Sequence, residues 1–440
     1  MVVQGRTHGS QRLVLVLCFL VILVEGYDLI VYGTVLPTIL KTPSWGLTPA
    51  TAGLIGSCSL VGLLIGSLVA GALADRLGRR RTIIVGTVWF SFWMAVCALP
   101  AGVAMFGIAR FMVGLGVGSA VAAAGVTAVE FAPRGRGQSY SAIAWTGAAG
   151  GGIVSSLLAL ALLPQFGPRV MFWTGALPLV VLVPVLALLL PESPAWLRAR
   201  GRTKQADSIA DAFGLDGGAV TDSAGAGRGS NGMKGLFSRD HLRVTALLGL
   251  LSILTLLLVY GLSTWLPVLM QSTGHSPSTA LLFLLLLSAG GMIVPVFSGR
   301  VADLAGPRVV TASVLVLAAA CIVLLTVDLP TPALLALAFL TGGGTLGTQV
   351  LIYGFAANFY PTSCRASGVA WVSAAGRLGS VVGPVVTGLI VGAGASAATS
   401  LLLFASVAVV AAACAGFVRQ RTAPAREMRS PQVAQRDTAA

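Results

Sequence analysis

Charge is what this chain has least of. Of 440 residues, 28 are Lys or Arg and 14 are Asp or Glu, 10% in all, where a soluble domain carries about 25%. So little charge excludes a cytosolic enzyme, a secreted domain and a disordered chain. Lysine is rarer still, present only as Lys41, Lys204 and Lys234, so the net charge of +14 is nearly all arginine. No basic patch is interleaved with aromatics, and nucleic acid is not an expected partner. The 3 histidines, His8, His241 and His275, fall in loops or at helix ends, which leaves no histidine proton relay or metal site. The 6 cysteines, Cys18, Cys58, Cys97, Cys321, Cys364 and Cys414, are scattered through apolar stretches. Without paired spacing they read as small apolar fillers, not disulfides or metal ligands. There is no GxxxxGK[ST] loop and no nucleophile–base constellation, so neither a nucleotide motor nor an enzyme is expected.

What is abundant is hydrophobic, 56% of the chain with a mean hydropathy of +0.91. Lipid must replace water as solvent over most of its length. A membrane helix needs roughly 20 predominantly apolar residues. Twelve runs qualify, near 13–40, 51–74, 82–100, 103–130, 139–163, 169–190, 242–270, 279–302, 309–328, 333–356, 364–391 and 397–418. The first resembles a signal peptide but lacks a small-residue cleavage site, and reads as a retained helix. With the N-terminus placed in the cytoplasm, only Lys41 and Arg169 fall outside, and Arg110 and Arg377 fall within spans. Every other positive residue lies on the inner side. That bias predicts both termini in the cytoplasm of a bacterial-type plasma membrane.

The spans group as six and six. The expected organisation is an N-terminal bundle (1–190), a polar Gly- and Ser-rich cytoplasmic linker loop (191–241), a C-terminal bundle (242–418) and a disordered cytoplasmic tail (419–440). The halves repeat. Gly71-Ala72-Leu73-Ala74-Asp75 recurs as Gly299-Arg300-Val301-Ala302-Asp303, and Phe131-Ala132-Pro133 recurs at the same offset as Phe359-Tyr360-Pro361. Leu36-Pro37 recurs as Leu266-Pro267. Two related six-helix halves with a site between them is the plan of many secondary transporters. The expected fold class is therefore an all-α membrane protein of twelve transmembrane helices in two pseudo-symmetric bundles.

The stretch 71–81, Gly-Ala-Leu-Ala-Asp-Arg-Leu-Gly-Arg-Arg-Arg, lies between the second and third runs. There it resembles the signature loop of the major facilitator superfamily. Pro191-Glu192-Ser193-Pro194-Ala195-Trp196-Leu197 is similar to another element of that superfamily, familiar from sugar porters. Narrower motifs resemble the aromatic acid:proton symporters: Glu25-Gly26-Tyr27-Asp28, 110–118, Trp265-Leu266-Pro267, Tyr360-Pro361-Thr362, 365–368 and 376–380 with Gly383-Pro384. One departure is Glu25, where the symporters carry Asp. The resemblance implies proton-coupled uptake of a small aromatic carboxylate (benzoate, a hydroxybenzoate, protocatechuate or gentisate) by alternating access. It implies no cofactor, the proton serving as coupling ion. The expected partners are that substrate, the proton and the bilayer, with a monomer as the expected state. Rival readings are a sugar porter or drug exporter of the same superfamily and, more remotely, a membrane receptor.

Ionisable groups inside a bilayer are costly and are functional candidates by default. Asp28 lies about 15 residues into the first run, near the midplane. Glu25 and Tyr32 share its helix face. Two carboxylates so close in a dry site do not both ionise comfortably, so one is expected to hold a proton, and both are candidates for coupling. Arg110 and Arg377 are too deep to reach the headgroups, and a forked guanidinium suits a carboxylate. Arg377 is expected to hold the substrate carboxylate. Arg110 is expected either to contact substrate or to neutralise Asp28 or Glu25. Gln349, Tyr353 and Trp371 complete the candidate substrate contacts, with Trp145 and Tyr260 as further rings to stack on. At the cytoplasmic face Asp75, Arg76, Arg79 and Glu130 are expected to form an ion-pair latch that gates transport. The plainer alternative for each charge is a structural counter-ion.

Overall fold

The computed structural model describes residues 10–99, 102–215, 235–239, 241–361 and 364–418. The expected tail and the Gly- and Ser-rich centre of the expected linker lie outside these residues. Fifteen helices carry the described chain. The first seven are α1 (Gln11–Lys41), α2 (Pro49–Leu77), α3 (Arg79–Ala98), α4 (Val103–Glu130), α5 (Gly137–Phe166), α6 (Arg169–Ala176) and α7 (Leu182–Leu189). Two short helices follow, α8 (Pro194–Ala199) and α9 (Thr203–Phe213). The rest are α10 (Leu242–Ser272), α11 (Pro277–Ala305), α12 (Pro307–Leu324), α13 (Thr331–Phe359), α14 (Arg365–Gly392) and α15 (Ala397–Phe417). Together they supply 12 stretches long and apolar enough to cross a membrane, α6 and α7 sharing one. Pro178 and Pro184 explain that break, since a proline supplies no N–H to the helix ladder.

Helix starts follow local chemistry. Thr48 caps α2 with a reciprocal capping box and Pro49 in the first turn. Ser276 accepts from the Thr279 N–H at 3.1 Å, and Ser396 from the Thr399 N–H at 3.1 Å. Such caps satisfy donors that would otherwise go unpaired. Between α2 and α3 the chain turns at Gly78 (φ 95°), and between α11 and α12 at Gly306 (φ 88°), the same position in the repeat. Only glycine takes that conformation without strain.

Within each half, small residues let backbones touch. A Cβ on Gly62 or Gly114 would run into the facing backbone across the α2–α4 seam, as one on Gly290 or Gly342 would between α11 and α13. The α1–α5 and α10–α14 seams are built alike, at Gly151 and Gly379. The halves themselves meet through α1 with α10, α2 with α14 and α5 with α11. Among the described residues two hydrogen bonds join them. Ser57 Oγ donates to the Val381 carbonyl at 2.6 Å, and Lys41 Nζ to Gln271 Oε1 at 2.8 Å. Both lie toward the end that carries the 42–48, 273–276 and 393–396 loops. Among the described residues no ion pair joins the halves at the opposite, arginine-rich end.

The first part of the expected 191–241 linker loop is helical. It forms α8 and α9, and Gln11 Nε2 donates to the Phe213 carbonyl at 2.9 Å, which fastens α9 to the start of α1.

Candidate functional site

In the first half, Asp28 is fully buried on α1. The close α2–α4 seam builds its surroundings. Gly114 meets the Ser59 backbone, and Arg110 stands one turn before Gly114 on α4. Ser59 Oγ therefore reaches Asp28 Oδ2, donating at 2.8 Å, while Arg110 pairs with Asp28 Oδ1. The Tyr32 ring lies under the guanidinium, 5.3 Å from its centroid, and the Tyr32 hydroxyl donates to the Ala52 carbonyl at 2.7 Å. Of the two roles expected for Arg110, the geometry is that of the counter-ion to Asp28. Tyr32, expected on the substrate side, has its hydroxyl committed to α2. A buried pair of this kind is costly to break on one side, because the survivor is left charged and unpaired.

Glu25 differs from Asp28 in every respect but burial. It is 3% exposed, and its Oε2 has no hydrogen-bond partner. Across the middle of the protein stands Arg377, half-buried on α14. Among the described residues it forms no ion pair. The polar groups around it are Tyr260 of α10, Tyr353 of α13 and Glu25 itself. Gln349 is one turn from Tyr353, and its Nε2 donates to Ser252 Oγ at 3.0 Å. An apolar wall joins the two halves beside this group: Leu60, Leu256, Val259 and Tyr260 form one hydrophobic cluster, with Leu29, Leu346 and Val381 packed against it. Among the described residues, a cation without an ion pair and a carboxyl with an unpartnered oxygen thus come from opposite halves into one neighbourhood that also holds Tyr260 and Tyr353.

Trp371 does not join this group. It stands on α14 nearly two turns toward the arginine-rich end, about 9 Å along the axis from Arg377. Its indole N–H donates to the Thr245 carbonyl at 3.0 Å, and its ring packs edge-on against Phe237 at 5.3 Å. Gly249 leaves room for it, since a Cβ there would lie 2.9 Å from the indole nitrogen. Trp145 is exposed beside Gly125. Tyr260, by contrast, is one of the residues around Arg377.

At the arginine-rich end, Arg79 bridges two acids, Asp75 at 3.7 Å and Glu130 at 3.4 Å. Arg76 is exposed and makes no ion pair among the described residues. Glu192 was not foreseen here. Its Oε1 accepts from the Arg80 N–H at 3.2 Å, placing a carboxylate at the start of α3 where the helix dipole favours one. Gly78 permits the approach, because a Cβ there would strike that carboxylate. Trp196 Nε1 and Arg200 hold the Asp75 carbonyl at 2.9 and 3.0 Å, so the segment after α7 is bound to the last turn of α2. The signal was present in Pro191-Glu192-Ser193-Pro194, whose role depends on a contact far away in sequence.

Comparison with known proteins follows this geometry. A sequence profile of the Major Facilitator Superfamily matches residues 18–331 and 296–438. The benzoate transport protein of Acinetobacter baylyi is 31% identical over 388 residues, 85% of this chain and 82% of that protein. The gentisate transporter of Corynebacterium glutamicum is 32% identical over 397 residues, 89% of this chain and 84% of that one. Among solved structures, the partially occluded inward-open xylose transporter XylE from E. coli superposes with a TM-score of 0.74 at 19% identity, over 94% of this chain and 99% of that one. That last likeness shows the fold alone. From the profile match and the relatives, the chain belongs to the major facilitator superfamily and is a multi-pass membrane transporter, not an enzyme.

Proposed function

We propose that the chain carries a small aromatic carboxylate across a bacterial-type plasma membrane, coupled to a proton, with both termini cytoplasmic and the monomer as the working unit. One observation carries the reading: among the described residues Arg377 is a deep cation without an ion pair, in the neighbourhood of Glu25 of the other half, whose Oε2 is unpartnered. A substrate carboxylate supplies the missing anion, and a planar guanidinium holds it with two parallel hydrogen bonds. The ring then lies among Tyr260, Tyr353 and the apolar wall. The relatives named for benzoate and gentisate transport agree with that chemistry.

Coupling follows from the contrast between the two carboxyls of α1. Asp28 spends both oxygens on Arg110 and Ser59 and holds the first half together. Glu25 has an oxygen free to carry a proton. Protonated, it ceases to compete with the substrate carboxylate for Arg377. When the proton leaves on the other side, the anion of Glu25 draws Arg377 away from the substrate. Between the halves, Gly33 lies against the Ser263 backbone and Gly53 against the Pro384 backbone, close contacts about which the halves rock in the alternating-access motion. Arg79, with Asp75 and Glu130, acts as the cytoplasmic latch.

Uptake into proteoliposomes with an imposed pH gradient tests this. An acidic exterior is expected to drive accumulation of benzoate or a hydroxybenzoate well above that in protein-free liposomes. Accumulation that ignores the gradient would refute coupling. Uptake of glucose in place of aromatic acids would refute the substrate.

A further inference from the structure

Gln349 has an amide with one end held and the other left over. It lies on α13 one turn before Tyr353, on the same face, and is 8% exposed. Its Nε2 donates to Ser252 Oγ of α10 at 3.0 Å. Its Oε1 is buried and has no partner. Ser252 in turn lies against Gly376, where a Cβ would run into Ser252 Oγ, and Gly376 is the residue before Arg377. The amide is thus tethered through Ser252 to α14 at the position before Arg377, with the phenol of Tyr353 one turn along α13 and Leu346 of the apolar cluster about one turn the other way.

A buried acceptor that the fold leaves unpaired asks for a donor. A carboxylate cannot supply one, since it only accepts when ionised. An unsubstituted ring cannot either. A ring hydroxyl can, and a carboxylate anchored on Arg377 would bring the ring into this neighbourhood. We infer that Gln349 Oε1 reads a hydroxyl on the substrate ring, which makes a hydroxylated aromatic carboxylate the preferred class over benzoate itself. The inference rests on Arg377 as the carboxylate anchor. Ser252 is the positioning residue, since it holds the other end of the amide.

Counterflow in proteoliposomes loaded with labelled benzoate or labelled 3-hydroxybenzoate tests it. The competitors are benzoate, 3- and 4-hydroxybenzoate, and the matching methoxybenzoates, which accept but do not donate. With wild-type protein, at least one hydroxybenzoate is expected to compete about tenfold better than benzoate, the ratio one neutral hydrogen bond supports. Its methoxy analogue is expected to lose that advantage. In Gln349→Met the ratio of hydroxybenzoate to benzoate is expected to fall toward one. Equal competition by hydroxybenzoate and benzoate in the wild type would overturn the inference while leaving the Arg377 reading in place. A methoxy acid equal to its hydroxy parent, or an unchanged ratio in Gln349→Met, would do the same. If neither labelled acid exchanges through the wild type, the Arg377 reading falls and this inference with it. The wild-type series alone decides the matter should the variant fail to fold.

Discussion

The two halves of the chain share a scaffold and differ in chemistry. α1 and α10 each run 31 residues with a proline near the end, Pro37 and Pro267. Gly78 and Gly306 turn the chain at matching points, and the α2–α4 and α11–α13 seams close on glycine in the same way. Counting from the paired prolines, Thr255 and Leu258 stand on α10 where α1 carries Glu25 and Asp28. Ala338 stands where α4 carries Arg110, and Ala149 where α14 carries Arg377. The repeat therefore preserves what packing needs and abandons what the site needs. In the first half an acid and a base satisfy each other within one bundle. In the second half Arg377 has no ion pair among the described residues, and a carboxyl of the other bundle, Glu25, is among the polar groups around it. Packing glycines recur because both halves need close seams, whereas a charge need stand on one side of the cavity only.

The largest expected effect comes from breaking the internally satisfied pair. Arg110→Leu leaves Asp28 buried and charged, a loss of about 3–5 kcal/mol, read as a large drop in thermal unfolding temperature in detergent. The double variant Asp28→Leu with Arg110→Leu is expected to recover most of that stability, because no lone charge remains. Recovery of stability without recovery of uptake would place the pair in the mechanism as well as in the fold. No loss in Arg110→Leu alone would mean that the pair is not buried as described.

Next in size, Glu25→Gln removes the titratable oxygen at nearly constant volume. Gradient-driven accumulation is expected to disappear while exchange of substrate across the membrane survives. Asp28→Asn is expected to lower both, since it weakens the pair with Arg110. Accumulation by Glu25→Gln at the wild-type level would move coupling away from Glu25. Glu25→Asp keeps the acid and is expected to be mild.

The smallest effects belong to the arginine-rich end. Arg79 links two acids, whereas Asp75 is 80% exposed and makes a single long contact. Exposed pairs contribute little. Arg79→Ala is therefore expected to slow transport several-fold and Asp75→Asn less, with the order of preferred acids unchanged in both. A reordered preference would put this cluster in contact with substrate.

The twelve spans were legible in the sequence because the requirement is local: lipid leaves no alternative to long apolar helices. The four deep ionisable groups were legible for the same reason, as charges inside apolar runs. Their partners were not. Nothing local distinguishes Asp28, which Ser59 and Arg110 satisfy, from Glu25 three residues earlier, which retains a free oxygen. That difference arises where α2 and α4 close on Gly114. Trp371 read as a candidate contact for the substrate ring, but the room opposite Gly249 and the Thr245 carbonyl hold it toward the arginine-rich end. Glu192 and the helices α8 and α9 were obscured by the polar composition around them, and their order comes from contacts with the first turn of α3, the last turn of α2 and the start of α1.

The contrast between a satisfied half and an unsatisfied one is tested most directly at Arg377. Binding of benzoate and of its uncharged analogue benzamide is to be compared on the wild type and on Arg377→Lys, with Asp28–Arg110 intact in both. A two-pronged pair with a carboxylate predicts that benzamide competes at least tenfold more weakly than benzoate on the wild type, since a hydrogen bond to a charged group contributes about 1.5–3 kcal/mol. It also predicts that Arg377→Lys, which keeps the charge and loses the fork, binds benzoate about tenfold more weakly at similar expression. Equal competition by benzamide, or wild-type benzoate affinity in Arg377→Lys, would contradict the account and return Arg377 to a purely structural role.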